Sequence, residues 1–174
     1  MHTPTQTIEL LREVHGILAE VIFRHDGTLD KYIGDGLMAT FGTPEPSSND
    51  ASNALMAAIE MSNAFESWQT RRFISNGEQL KLAVGVHYGT VVIGDIGSQE
   101  RLEFAVLGDA VNVASRLESA TRDLGCKYLI IQELVDASTT ENLAEIASYR
   151  DQLDAHDPIQ LRGRSGEVPI LVLR

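Results

Sequence analysis

The chain has 174 residues, 43% of them hydrophobic and 22% charged. That is the size and composition of one globular domain with its own core, and it excludes a disordered chain. Fourteen Lys and Arg against 25 Asp and Glu give a formal charge of −11; such a field repels nucleic acid and anionic membrane alike, so neither is an expected partner.

The single cysteine, Cys126, allows no intrachain disulfide, which fits a reducing compartment. The N-terminus has no basic stretch leading into an apolar core, and no apolar run approaches membrane-span length. The expectation is a cytoplasmic protein. Common zinc motifs and the P-loop are absent from the sequence.

Residues 5–24 read as a helix. Ile8, Leu11, Leu18 and Ile22 recur at helical spacing, and Leu10, Val14, Ile17 and Val21 widen the apolar stripe. Gly27 is the expected C-terminal breaker. Thr28–Ile33 and Leu37–Phe41 then read as the arms of a hairpin around Gly34-Asp35-Gly36. Residues 42–49, with two prolines and two serines, form a loop.

A second helix is expected over 50–73, with Leu55, Ile59, Phe65 and Trp68 on its apolar side, and Asn76-Gly77 closing the connection that follows. Residues 80–96 read as two strands punctuated by Gly85, Gly89 and Gly94, and 101–107 as a further strand or arm. Asp109 is the expected cap of a third helix that runs through Val111, Ala114 and Leu117 to about Arg122. Tyr128–Ile131 reads as a short buried strand, 132–138 as a short helix, and Ile159–Leu161 and Pro169–Leu173 as final strands. Interleaved helices and strands make the chain α/β or α+β with one sheet.

Three clusters could carry chemistry. Asp35, on a glycine-flanked turn, can approach a hard divalent cation without steric obstruction. A plain solvated turn is the competing reading. Asn112 and Arg116 are four residues apart and share a helix face. An amide and a guanidinium aimed at one point suit a phosphoryl transition state, whereas a salt bridge from Arg116 to Asp109 or Glu118 would make the same face merely solvated. Arg162-Gly163-Arg164 is a local basic spot in an acidic chain, able to hold a polyphosphate or simply a solvated loop. His87, at the end of an apolar strand, reads as a packed histidine. The other histidines have no metal-ligand spacing, and Cys126 reads as a small buried hydrophobe.

Three stretches, FRHDGTLDKYIGDGLMATFG at 23–42, VGVHYGTVVIGDIGS at 84–98 and FAVLGDAVNVASRLE at 104–118, together resemble the catalytic domain of the class III nucleotidyl cyclases, the adenylate and guanylate cyclase family. Their order and spacing fit over nearly the whole chain. The resemblance implies an α+β, ferredoxin-like core in which helices pack on a mixed sheet. It also implies a head-to-tail homodimer whose two active sites each draw residues from both chains. The reaction implied is ATP to cyclic AMP and pyrophosphate, with Mg²⁺ or Mn²⁺. On that resemblance Asp35 is one of two metal-binding aspartates and Lys31 stands at the base-reading position, where guanylate cyclases usually carry glutamate. Asn112 orients the ribose, Arg116 stabilises charge on the α-phosphate, and Arg162 or Arg164 contacts the terminal phosphates.

Two departures accompany the match. The family begins with a strand bearing the other metal aspartate, about twenty residues ahead of the first helix. This chain begins at that helix, so the expectation is one domain over 1–174, N-terminally incomplete, with a central strand missing and an open apolar slot in its place. A start placed too late, a degenerate non-catalytic dimerisation or nucleotide-binding module, and a strand supplied by a partner chain are the three accounts, the intact positions favouring the first. Ala105 is the second departure. Adenylate cyclases usually carry Asp or Thr there to help read adenine; alanine cannot, so the choice of ATP over GTP falls on Lys31.

Overall fold

The computed structural model describes residues 3–73, 80–98 and 101–173, and for 73, 98 and 101–103 the backbone alone. Helix α1 spans Pro4–Arg24. Its start is a capping box: Thr3 Oγ1 accepts from the Gln6 amide at 3.3 Å, and the Gln6 side chain accepts from the Thr3 amide at 2.9 Å. The buried stripe is Leu10, Leu18, Ala19, Val21 and Ile22, while Ile8, expected on it, is 58% exposed. The helix ends through Asp26, which takes the left-handed conformation at φ 55°. Gly27 takes part in that ending, as expected, its amide donating to Ile22 O at 2.9 Å, and it also permits close packing, since a Cβ there would lie 2.7 Å from both Ile22 Cγ2 and Phe41 Cε1.

Strands β1 (Thr28–Ile33) and β2 (Gly36–Thr40) form the expected hairpin, joined by Gly34-Asp35 with Ile33 opposite Gly36. Gly34, at φ 62°, occupies the first turn position, where a two-residue hairpin favours glycine. The register shifts between Leu29 and Lys31, leaving Asp30 at a bulge.

Helix α2 covers Asp50–Phe73. Its first amides are satisfied from far along the chain, because Glu141 accepts from Ala51 N at 3.1 Å and Ser52 N at 2.7 Å. Phe65 and Trp68 are buried as expected. Asn76-Gly77 lies outside the described residues.

Strand β3 is confined to Val84–Val86; β4 (Val92–Ser98) and β5 (Arg101–Leu107) form an antiparallel ribbon of their own. Helix α3, Asp109–Leu124, starts from Gly108 with no side-chain cap; Asp109 lies in its first turn and does not cap it. Strand β6, Tyr128–Ile131, follows.

Helix α4 is far longer than the expected 132–138. It runs Gln132–Arg150, broken at Asn142, whose φ and ψ are −154° and 72°. The polar run before the break hides the helix in the sequence. Ser138 and Thr139 donate to Val135 O, at 2.9 and 2.6 Å, and Thr140 donates to Asp136 O at 3.0 Å. Strands β7 (Asp154–Gln160) and β8 (Glu167–Leu173) are also longer than expected.

The main sheet is mixed, in order β3-β6-β8-β7, with β3 parallel to β6 and the other pairs antiparallel. All four residues of β6 are buried, so both faces of the sheet are covered. The core gathers Leu55 and Ile59 of α2, Val113 and Leu117 of α3, Leu134 and Ile146 of α4, and Ile170 of β8. Gly85 lets β3 press onto α3, since a Cβ there would lie 2.2 Å from Ala114 O. This is the α+β arrangement the sequence implied. The β1–β2 hairpin, however, is a separate sheet, and β3 is an edge of the main one. Between them Leu29, Leu37, Phe41, Leu82, Val84 and Val86 are only partly buried.

Candidate active site

The expected site residues fall into two groups. The first lies on the hairpin. Asp35 is exposed at the turn, and among the described residues its carboxylate has no hydrogen-bond or ion-pair partner. Its backbone carbonyl is 2.8 Å from His15 Nε2, on α1. Lys31 Nζ lies 3.4 Å from Asp30 Oδ2. Adjacent residues on a regular strand point to opposite faces, and the bulge is what brings these two together. The Asp30 side chain is 5% exposed, and its Oδ2 makes no hydrogen bond among the described residues. Sequence reasoning missed Asp30, since adjacent charges on a strand carry no pairing signal.

The second group surrounds the start of α3. Asn112 is exposed and Arg116 half-buried. Neither anticipated ion pair to Arg116 exists: Asp109 takes Arg164 at 3.2 Å, and Glu118 takes Arg122 at 3.1 Å. Arg116 instead lies against Gly163, where a Cβ would sit 3.3 Å from Nη1. Helix α3 and the β7–β8 loop thus bring Arg116 and Arg164 together, while Arg162 is exposed. Gly163 was legible only as a spacer between two arginines.

His87 stands close by, half-buried, its Nδ1 without a partner among the described residues. Burial, then the Arg164 charge, hold its imidazole below the ordinary value, while Glu133 and Asp109 pull the other way. A half-buried, packed ring agrees with its reading from sequence. Cys126 is half-buried, and burial pushes its thiol up. Ala105 is buried on β5 opposite Gly94, a pairing of the two smallest side-chain types.

A divalent cation has a fitting but partial donor set. Among the described residues no group of three or more His, Cys, Asp or Glu could hold an ion. Mg²⁺ takes one or two carboxylates and completes its shell with water and phosphate oxygens. The unpartnered Asp35 carboxylate, on an open turn, fits one such share.

The chain as a whole matches a known family. The model of the adenylate and guanylate cyclase catalytic domain matches residues 1–172. This chain belongs to that family. The cyclase domain is 32% identical over 127 residues to adenylate cyclase 1 of Rhizobium meliloti, covering 73% of this chain and 19% of that protein. It is 36% identical over 136 residues to an adenylate cyclase of Anabaena cylindrica, covering 76% and 26%. The cyclase domain therefore spans only about a fifth to a quarter of these relatives' length. Among solved structures, the guanylyl cyclase Cya2 superposes with a TM-score of 0.80 at 26% identity, over 98% of this chain and 81% of that one. The adenylyl cyclase CyaB from P. aeruginosa gives 0.77 at 25%, over 100% and 84%. No described helix is long and apolar enough to cross a membrane.

Proposed function

We propose that this cyclase domain converts ATP to cyclic AMP and pyrophosphate as a head-to-tail homodimer, in cytoplasmic signalling, with Mg²⁺ or Mn²⁺, and that residues 1–174 act as one catalytic domain. The observation that carries the reading is the packing of Arg116 against the 162–164 loop. It sets Arg116, one helical turn from Asn112, against the backbone of the residue before Arg164, and Arg116 has no ion-pair partner among the described residues.

The reaction joins the ribose 3′-oxygen to the α-phosphorus and breaks the bond from that phosphorus to pyrophosphate. Nothing covalent is asked of the protein, so positioning and electrostatics supply the rate. Arg116 donates to the α-phosphate oxygens as charge builds there. Asn112 holds the ribose so that its 3′-oxygen faces phosphorus in line. Arg164, with Arg162, holds the leaving pyrophosphate and must exchange Asp109 for phosphate to do so. Lys31, steadied by Asp30, reads the base, with no help from Ala105. A cation at Asp35 would offset phosphate charge and ease loss of the hydroxyl proton.

Dimerisation is supported by the β4–β5 ribbon, where Val92, Ile96, Phe104 and Leu107 are each 45–65% exposed; apolar side chains on a projecting ribbon suit a partner surface. Two observations favour other readings. Among the described residues Asp35 has no companion His, Cys, Asp or Glu group that could hold an ion, which favours a catalytically silent module of the same fold. The likeness to Cya2 favours GTP as substrate, against which Lys31 weighs.

The test is cyclic nucleotide formation from ATP and from GTP with Mn²⁺, alongside Asp35→Ala and Arg116→Ala. Cyclic AMP from the parent, with a loss of roughly 10²–10³-fold in Arg116→Ala at unchanged melting temperature, is the expected result. A parent that makes no product, or an Arg116→Ala that loses stability and activity in equal measure, refutes it.

A further inference from the structure

We propose that His15, on α1, is a positioning residue that fixes the Gly34-Asp35 turn and thereby the Asp35 carboxylate. The proposal rests on reading Asp35 as a cation ligand and adds a residue to that reading. Two contacts carry it. His15 Nε2–H donates to the backbone carbonyl of Asp35 at 2.8 Å; the acceptor is a carbonyl, so the proton sits on Nε2. The same ring stacks on Tyr32, with centroids 4.6 Å apart and planes inclined at 25°. Tyr32 enters the turn and Asp35 is inside it, so one side chain holds both.

The turn has little else to fix it. Residues 32–36 are all exposed, and a Cβ on Gly34 would meet nothing within 4 Å. Helix α1, by contrast, is anchored one turn further on by Leu18, Val21 and Ile22, which are buried against α2 residues Ala57 and Met61. His15 therefore extends the rigidity of a buried helix to an exposed loop. A ligand carboxylate must be held to within about 0.5 Å of its working position, and the hairpin ladder ends at Ile33 and Gly36, on either side of Asp35. The sequence concealed this role because the partner is a backbone carbonyl twenty residues away.

Three variants separate the two contacts. His15→Ala loses both, His15→Phe keeps a stacking ring without the donor, and His15→Gln keeps a donor without the ring. One readout is amide hydrogen exchange of residues 32–37 in the metal-free protein. The other is Mn²⁺ bound in the presence of a non-cyclisable ATP analogue, followed by loss of the free-ion EPR signal. The expected result for His15→Ala is exchange about tenfold faster at the turn, of the order that losing one hydrogen bond produces. Exchange in α2 and β6 stays unchanged, and Mn²⁺ binds several-fold more weakly. Phe and Gln fall between parent and Ala.

Unchanged turn exchange in His15→Ala overturns the proposal. So does faster exchange spread across α1 and α2 in all three variants, which is general destabilisation, and so does faster turn exchange with Mn²⁺ binding intact or absent even in the parent. Asp35→Ala tests the underlying reading separately. If Mn²⁺ binding survives it, Asp35 is no ligand, whatever exchange at the turn shows.

Discussion

Arg116 rests its guanidinium on the bare backbone of Gly163, which sits at φ 80°. A side chain at 163 would press on one terminal nitrogen of the arginine, with the would-be Cβ 3.3 Å from Nη1, and would merely touch the other at 3.6 Å. Gly163→Ala is expected to cost about 1–2 kcal/mol from its left-handed backbone, a drop in Tm of roughly 3–6 °C at this size. Gly166→Ala is the control, because Gly166 has φ 102° but open space around it. Both variants lose similar stability in a thermal melt, while Gly163→Ala alone loses cyclase turnover. Equal turnover in the two variants would contradict a contact between residue 163 and Arg116 that matters for the reaction.

In the proposed reaction Asp109 and the nucleotide's phosphates would compete for Arg164. The pair is solvent-accessible on both sides, 35% and 64%, so breaking it changes stability by less than about 1 kcal/mol. Asp109→Asn should therefore melt like the parent and lower the KM for ATP, by at most about fivefold, with the difference fading at high salt. Arg164→Ala should raise KM. Steady-state kinetics at two ionic strengths check both directions.

Acid should weaken the junction of α1, α2 and α4. Burial alone would raise the Glu60 carboxyl, but hydrogen bonds from His25 and Tyr149 and the charges of His25 and Arg24 outweigh it and hold Glu60 below its ordinary value. His25 Nε2 and Tyr149 Oη each lie 3.0 Å from a Glu60 oxygen. A carboxyl depressed in the folded state contributes stability above its unfolded value of 4.5 and loses it as pH falls through the folded one. Thermal melts between pH 6 and pH 3.5 should fall more steeply for the parent than for Glu60→Gln, and the two curves should converge at the acid end.

Glu141 caps a helix from ninety residues away in sequence. Its two oxygens take the amides of Ala51 and Ser52, and a negative charge there also complements the positive helix end. Glu141→Ala should cost about 1–2 kcal/mol in chemical denaturation, and Glu141→Gln, which keeps one acceptor and no charge, about half of that.

The candidate site was legible where neighbours in sequence are neighbours in space. Asn112 and Arg116 share a face because four residues make a turn of α3, and Gly34-Asp35 announces its own hairpin. Helix α1 and strand β6 followed from apolar spacing. What escaped depends on long-range packing or on polar local chemistry. The run Ser138 to Asn142 reads as loop-forming until its hydroxyls are seen to bond back to the helix and Asn142 to accept the Glu145 amide at 3.3 Å. Asp30, His15 and Gly163 gain their roles from a bulge, a carbonyl and a guanidinium that no spacing rule connects to them. Gly27 ends the helix as read, and what the sequence hid is its second, steric need, set by Ile22 and by Phe41, fourteen residues on.

The separation of the β1–β2 hairpin from the β3-β6-β8-β7 sheet has a consequence for cooperativity. No ladder bonds join the two among the described residues, so the hairpin is tied to the main sheet through side-chain packing, by α1, by α2 and by Phe41 and Leu82, which reach both cores. Without a shared ladder, melting one part removes only a packing surface from the other. Two unfolding units are the natural result: a sturdy one around β6, α3 and α4, and a weaker one in which the hairpin carrying Lys31 and Asp35 can loosen on its own. The half of the site that would bind the cation should then loosen at a lower temperature than the half that would bind the phosphates.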